Sequence, residues 1–107
     1  MSEYIYRFSF REGVPMLDVE ETFFLSTFAA EGLYGEARVR MDAGYSISQE
    51  KRRVVIDAGT PVGQAVCGIF AALALKEFGR ESLKVERIPR DRKKEAATKA
   101  GADKRRV

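Results

Sequence analysis

The chain predicts an α+β domain in which four antiparallel strands carry two helices on one face. Three observations point there. Apolar residues alternate strictly at Tyr4, Tyr6, Phe8 and Phe10. They alternate again from Ala37 to Ile47. Between and after these runs lie two long apolar stretches with helix start and stop signals. The chain has 107 residues, room for one domain with a modest core.

The first strand spans Tyr4-Ile5-Tyr6-Arg7-Phe8-Ser9-Phe10. Its aromatic residues share one face, which should be buried; Ile5, Arg7 and Ser9 take the other. Arg11 to Pro15 connects to a helix that starts at Asp18, with Asp18 as cap and Glu21 completing a capping box. The helix runs through Phe23, Phe24, Phe28, Ala29 and Ala30, and Gly32 or Gly35 ends it.

Next, Ala37, Val39, Met41, Ala43, Tyr45 and Ile47 all fall at odd positions. This period of two predicts one long half-buried strand, or two in phase across Gly44. Gln49 to Arg52 turns the chain, and Arg53 to Ala58 returns with Val54, Ile56 and Ala58 inward. The turn sets a register in which Ile47 faces Val54, Tyr45 faces Ile56 and Ala43 faces Ala58, all apolar pairs.

The second helix runs from Thr60 to Gly79. Thr60 caps it, Pro61 takes the first position, where its missing N–H is harmless, and Gly79 stops it. Between Ala65 and Leu75 it is apolar nearly all round, so both its sides should be covered. A last strand, Ser82 to Ile88, closes at Pro89. Residues 1–88 form the domain; residues 89–107 read as a disordered basic tail without an apolar stripe.

The element order strand, helix, strand, strand, helix, strand resembles the ferredoxin-like superfold, a split βαβ sandwich. That fold hosts many unrelated functions and implies none by itself. The chain has no Asn, which disfavours acylphosphatase-type chemistry on such a fold.

Composition narrows the function classes. The chain holds no His and one Cys. The commonest general base is therefore missing, and one chain can build neither a disulfide nor a Cys/His zinc site. No cofactor and no small-molecule ligand is implied. A lone thiol at Cys67 suits a reducing cytoplasm. The apolar stretch from Val62 to Leu75 is shorter than the roughly 18 residues of a membrane span, so the chain reads as soluble. Residues 1–88 carry 11 Lys/Arg against 13 Asp/Glu, and residues 89–107 carry 8 against 3. The basic balance belongs to the tail.

Four constellations carry functional expectations. Asp42 and Asp57 would lie on one polar strand face, on a diagonal of about 7–8 Å, joined there by Arg7, Arg38, Arg40 and Arg53, which would neutralise them. They form a candidate acidic pair that could hold a cation or act as acid and base. The junction from Asp57 to Gly63 could cradle an anion, but no phosphate-loop motif follows, and capping and close packing explain its residues. Arg90, Arg92, Lys93, Lys94, Lys104, Arg105 and Arg106 could bind nucleic acid with salt-sensitive, sequence-blind affinity. Finally, the helical layer holds more apolar surface than one four-stranded sheet can hide. Phe24, Phe28, Cys67, Phe70, Ala71 and Ala74 are the candidate interface residues of a homodimer. The leading expectation is a non-enzymatic interaction or regulatory domain that self-associates through its helical layer or an edge strand; nucleic-acid binding is the alternative.

Overall fold

A computed structural model describes residues 4–89. Its elements are β1 (Tyr4–Phe10), α1 (Met16–Tyr34), α2 (Glu36–Asp42), β2 (Gly44–Ser48), β3 (Arg53–Asp57), α3 (Pro61–Phe78), a 3₁₀ turn (Arg80–Ser82) and β4 (Leu83–Pro89). The strands form one antiparallel sheet in the order β2-β3-β1-β4, with helices packed on it.

β1 sits in the centre because it offers a full aromatic row. Phe8 and Phe10 are buried, and both meet Phe70 of α3 edge to face, with ring centres 4.9 and 6.3 Å apart. Phe23 of α1 joins the same cluster at 5.6 Å from Phe70. Val54 and Ile56 of β3 complete the sheet side of the core. The hairpin register is the expected one: Ile47 opposes Val54, Tyr45 opposes Ile56 and Gly44 opposes Asp57. Pro89 pairs with Tyr4 and so ends β4 rather than beginning the tail. An edge strand tolerates it, because one side of its main chain needs no donor.

Residues 36–42 are a helix, not a strand. Ala37, Val39, Met41 and Ala43 alternate, yet Val39 and Ala43 are also four apart and share a helix face, as do Ala37 and Met41. Val39 is buried and Ala43 half-buried, while Ala37 and Met41 are exposed. Two ion pairs at helical spacing support the turn: Glu36 with Arg40 at 2.8 Å and Arg38 with Asp42 at 3.5 Å.

The start of α1 also differs from expectation. Pro15 stands at the cap without a side-chain cap bond. The Pro15 carbonyl accepts from the Asp18 and Val19 amides. Asp18 lies inside the first turn, where a carboxylate still favours the positive helix end. Gly35, at φ 90°, ends the helix and accommodates the sharp passage into α2.

The α3 termini match their sequence signals. The Thr60 hydroxyl accepts from the Gly63 amide at 2.9 Å and donates to the Asp42 carbonyl at 3.1 Å. Gly79, at φ 88°, caps the end through its amide on the Leu75 carbonyl. The expectation that both sides of α3 are covered is not met. Its buried positions are Val62, Gly63, Val66, Cys67, Phe70 and Ala74, a single stripe. Gly68 and Ala72 are exposed, small residues that leave little apolar surface to hide, and Leu73 and Leu75 are exposed beside them. Over its 18 residues α3 has a mean hydropathy of 1.2, enough by length and composition to cross a membrane. The shorter count from Val62 to Leu75 missed this. In this fold its apolar stripe is the core's helical wall.

Arg52 fastens the two ends of the sheet connections. At φ 56° it completes the β2–β3 turn. Its guanidinium donates to the carbonyl oxygens of Phe10, Arg11 and Val14, tying that turn to the loop after β1.

Candidate interaction surface

Helix α1 has an unusual distribution of side chains. Val19, Thr22, Phe23, Ser26 and Ala30 face inward and are buried. Two of these are polar: Thr22 is 3% exposed and Ser26 0%. Outward lie Phe24, Leu25 and Phe28, at 43%, 59% and 66% exposure. The rest of the inward stripe, Met16, Val19, Phe23 and Ala30, is apolar as expected; an ordinary surface helix would carry polar residues at the three outward positions. The buried hydroxyls are satisfied. Ser26 Oγ donates to the Thr22 carbonyl at 2.9 Å, and Thr22 Oγ1 donates to Glu77 of α3. Small side chains there let α1 lie close against α3, and the bonds of Ser26 to the preceding turn and of Thr22 to Glu77 keep their burial inexpensive. The bulk that could have filled the core is left outside.

The outer face of α1 continues into the sheet edge. Phe24, Thr27, Phe28 and Glu31 of α1 line a groove with Val39 and Arg40 of α2, Ala43, and Tyr45 of β2. The Tyr45 ring centre lies 4.5 Å from that of Phe23 and 6.2 Å from that of Phe24. Tyr45, itself 44% exposed, thus bridges the core and the outer patch. Exposed Leu17 stands two helical turns before Phe24 on the same side of α1. Arg40, paired with Glu36, borders the groove. The result is a partly open aromatic strip with a polar margin, running from α1 to the terminal strand of the sheet.

Of the expected interface residues, Phe24 and Phe28 belong to this strip. Phe70 and Ala74 do not: both are 0% exposed inside the core of the single chain. Cys67 is also buried, and burial pushes its thiol up to about 11. Ala71 is half-buried and lines a separate hollow beside β4, with Tyr6, Gly68 and Val85. Periodicity could not divide these residues, because α3 is apolar on every side and only the sheet's position selects the buried stripe.

Asp42 and Asp57 do not share a strand ladder. Asp42 ends α2 and pairs with Arg38. Asp57 lies opposite Gly44 at the end of β3, and its carboxylate accepts from the Gly59 amide at 2.8 Å. That bond shapes the turn into α3. Arg38 and Arg40, expected on the sheet face, are on α2 instead. On the sheet face away from the core, Arg7 binds Glu86 at 2.9 Å, and Lys84 stands 4.0 Å from the same carboxylate. The hydrogen bond from Arg7, followed by the charges of Arg7, Lys84 and Arg53, holds the Glu86 carboxyl below its ordinary value. Among the described residues no three His, Cys, Asp or Glu side chains come together as a metal site. Arg90, Arg92, Lys93, Lys94, Lys104, Arg105 and Arg106 lie outside the described residues.

Sequence reasoning placed Tyr45 opposite Ile56 but not in an exposed strip, and it did not single out Thr22 and Ser26. A signal for the last two was present: polar residues at positions 22 and 26, four apart, occupy the stripe defined by Val19, Phe23 and Ala30. No protein-family model, curated protein or solved structure gives a significant match to this chain.

Proposed function

We propose that this chain is a small non-enzymatic interaction domain that forms a homodimer, built on a ferredoxin-like split βαβ sandwich. The observation that carries the reading is the apolar outer face of α1: Phe24, Leu25 and Phe28 stand outward although Thr22 and Ser26 are buried. A contiguous exposed apolar patch of a few hundred Å² is often a functional site, and association is the use its aromatic rings suit. Aromatic residues are also the side chains that contribute most at interface centres.

The strip has a position that suits self-association. It borders the terminal strand β2, so one contact can combine side-chain packing with main-chain pairing. The acids considered for chemistry already have structural partners: Asp42 has Arg38, and Asp57 shapes the turn before α3. Covering the exposed part of Phe28 contributes about 1–2 kcal/mol, and a symmetric dimer gains it twice.

Size-exclusion chromatography with light scattering tests the reading. The full chain at micromolar concentration should elute at twice its 12.0 kDa mass. Phe28→Glu, at a position already largely in solvent, should yield a folded monomer. A wild-type chain that remains monomeric at high micromolar concentration rejects the proposal.

A further inference from the structure

We infer that the second copy docks edge to edge. In this arrangement β2 of one chain pairs antiparallel with β2 of the other across a two-fold axis at Ser46, joining two sheets into one. The inference rests on the self-association reading and specifies which surfaces meet.

The two edges of the sheet differ in chemistry. β4 reads Leu83-Lys84-Val85-Glu86-Arg87-Ile88-Pro89. Three charges and a proline guard it, the usual means by which proteins prevent an edge from pairing. β2 reads Gly44-Tyr45-Ser46-Ile47-Ser48. It has no charge and no proline. Tyr45 and Ser46 on it are exposed. One edge is protected and the other is open, so pairing through β2 is the arrangement the chain does not oppose.

The side chains fit a two-fold axis at Ser46. On the helix side, Tyr45 would oppose Ile47 of the partner subunit, an aromatic–β-branched pair made twice. On the other side, Ser46 would oppose its own copy, and Gly44 would oppose Ser48 of the partner subunit. No like charges meet along the ladder. A two-fold axis normal to the sheet keeps both helical layers on one side. It therefore sets the two α1 helices beside each other. α1 already lies over this edge, through the Phe23 and Phe24 contacts with Tyr45 and the Gln49 amide bonded to Glu20. The exposed strip would thus close against its own copy.

The aromatic strip supplies less than half of the area a stable dimer needs. At ~200 Å² per aromatic residue, the exposed parts of Phe24, Phe28 and Tyr45 supply about 300 Å². A standard interface needs about 800 Å² per partner. The main chain of β2 and Leu17 lie along the same strip and contribute to the rest.

Cross-linking tests the geometry. Opposed residues in an antiparallel pair have Cα atoms about 4.5–5.5 Å apart, inside the range of about 4.4–6.8 Å that a disulfide spans. Full-length Ser46→Cys should form a disulfide dimer under mild oxidation, while Lys84→Cys on the guarded edge should not; Cys67 is buried and stays out of the reaction. Ser46→Lys, which sets two ammonium groups across the axis, should raise the dimer Kd by up to about fivefold, with partial recovery in high salt. Circular dichroism confirms that each variant folds. A dimeric wild type in which Ser46→Cys links no faster than Lys84→Cys, or Ser46→Lys leaves Kd unchanged, overturns edge pairing and leaves self-association standing on another face. A monomeric wild type overturns both.

Discussion

Replacing Gly63 by alanine should destabilise the domain, although alanine is the better helix former. A Cβ built at Gly63 would lie 2.1 Å from the Asp57 carbonyl oxygen and 3.2 Å from Thr60 Oγ1. The first of these is backbone and cannot swing aside. The start of α3 must therefore move away from β3 by roughly 1 Å, and Val62 and Val66, buried against the sheet, must move with it. Overpacking of this kind costs about 1–3 kcal/mol. Distorting the cap bond from Gly63 N–H to Thr60 adds about 1 kcal/mol. Better helix propensity returns at most about 1 kcal/mol. The net loss is about 1–3 kcal/mol, a fall in Tm of roughly 5–20 °C for a domain of this size. Gly68 is the internal control. A Cβ there meets nothing within 4 Å. Gly68→Ala should stabilise by about 0.5–1 kcal/mol, raising Tm by roughly 3–6 °C. Urea and thermal unfolding followed by circular dichroism, at one protein concentration, measure both. A Gly63→Ala variant as stable as wild type, or shifts of the same sign at the two positions, would refute the close-approach argument.

Three further outcomes are expected. Arg52→Ala should lose about 1–3 kcal/mol, because its guanidinium bonds to three carbonyl groups disappear. Arg52→Gly should lose less, since glycine adopts the φ of 56° without strain; urea midpoints rank the two. Cys67, raised to about 11 by burial, is only ~0.1% thiolate at pH 8. Its alkylation in the native state should be at least about 100-fold slower than in urea, read by mass spectrometry. The Glu86 carboxyl titrates below its ordinary 4.5 in the folded chain, first through the Arg7 hydrogen bond. A depressed carboxyl value contributes stability above the unfolded value and loses it as pH falls through the folded one. Glu86→Gln should therefore flatten the loss of stability below pH 4.5 and leave the neutral-to-basic profile unchanged, as measured by urea unfolding across pH.

Much of the architecture was legible from local chemistry. The alternation of Tyr4, Tyr6, Phe8 and Phe10 marked a strand buried on one face, and the pairs Ile47–Val54 and Tyr45–Ile56 marked the hairpin register. Thr60, Pro61 and Gly79 marked the limits of α3. Each signal is a property of neighbouring residues and needs no distant partner. The apolar excess of the helical layer was also legible, and Phe24 and Phe28 carry it at the surface.

Other features depended on contacts between elements. Val39 and Ala43 satisfy a period of two and a spacing of four equally well. Docking of Val39 into the core and the Glu36–Arg40 pair selected the helix. That choice removed Asp42, Arg38 and Arg40 from the sheet, so Asp42 and Asp57 do not share the expected strand face. The orientation of α3 was likewise undetermined, because a helix apolar all round can present any stripe until the sheet takes one. Once Phe70 and Ala74 entered the core, the candidate interface contracted to α1 and Tyr45. By itself the sequence determined which segments alternate, where α3 begins and ends, and that apolar surface remains in excess. Only the tertiary structure decided where that excess lies, because burial is set by which faces meet, and those faces come from residues far apart in the chain.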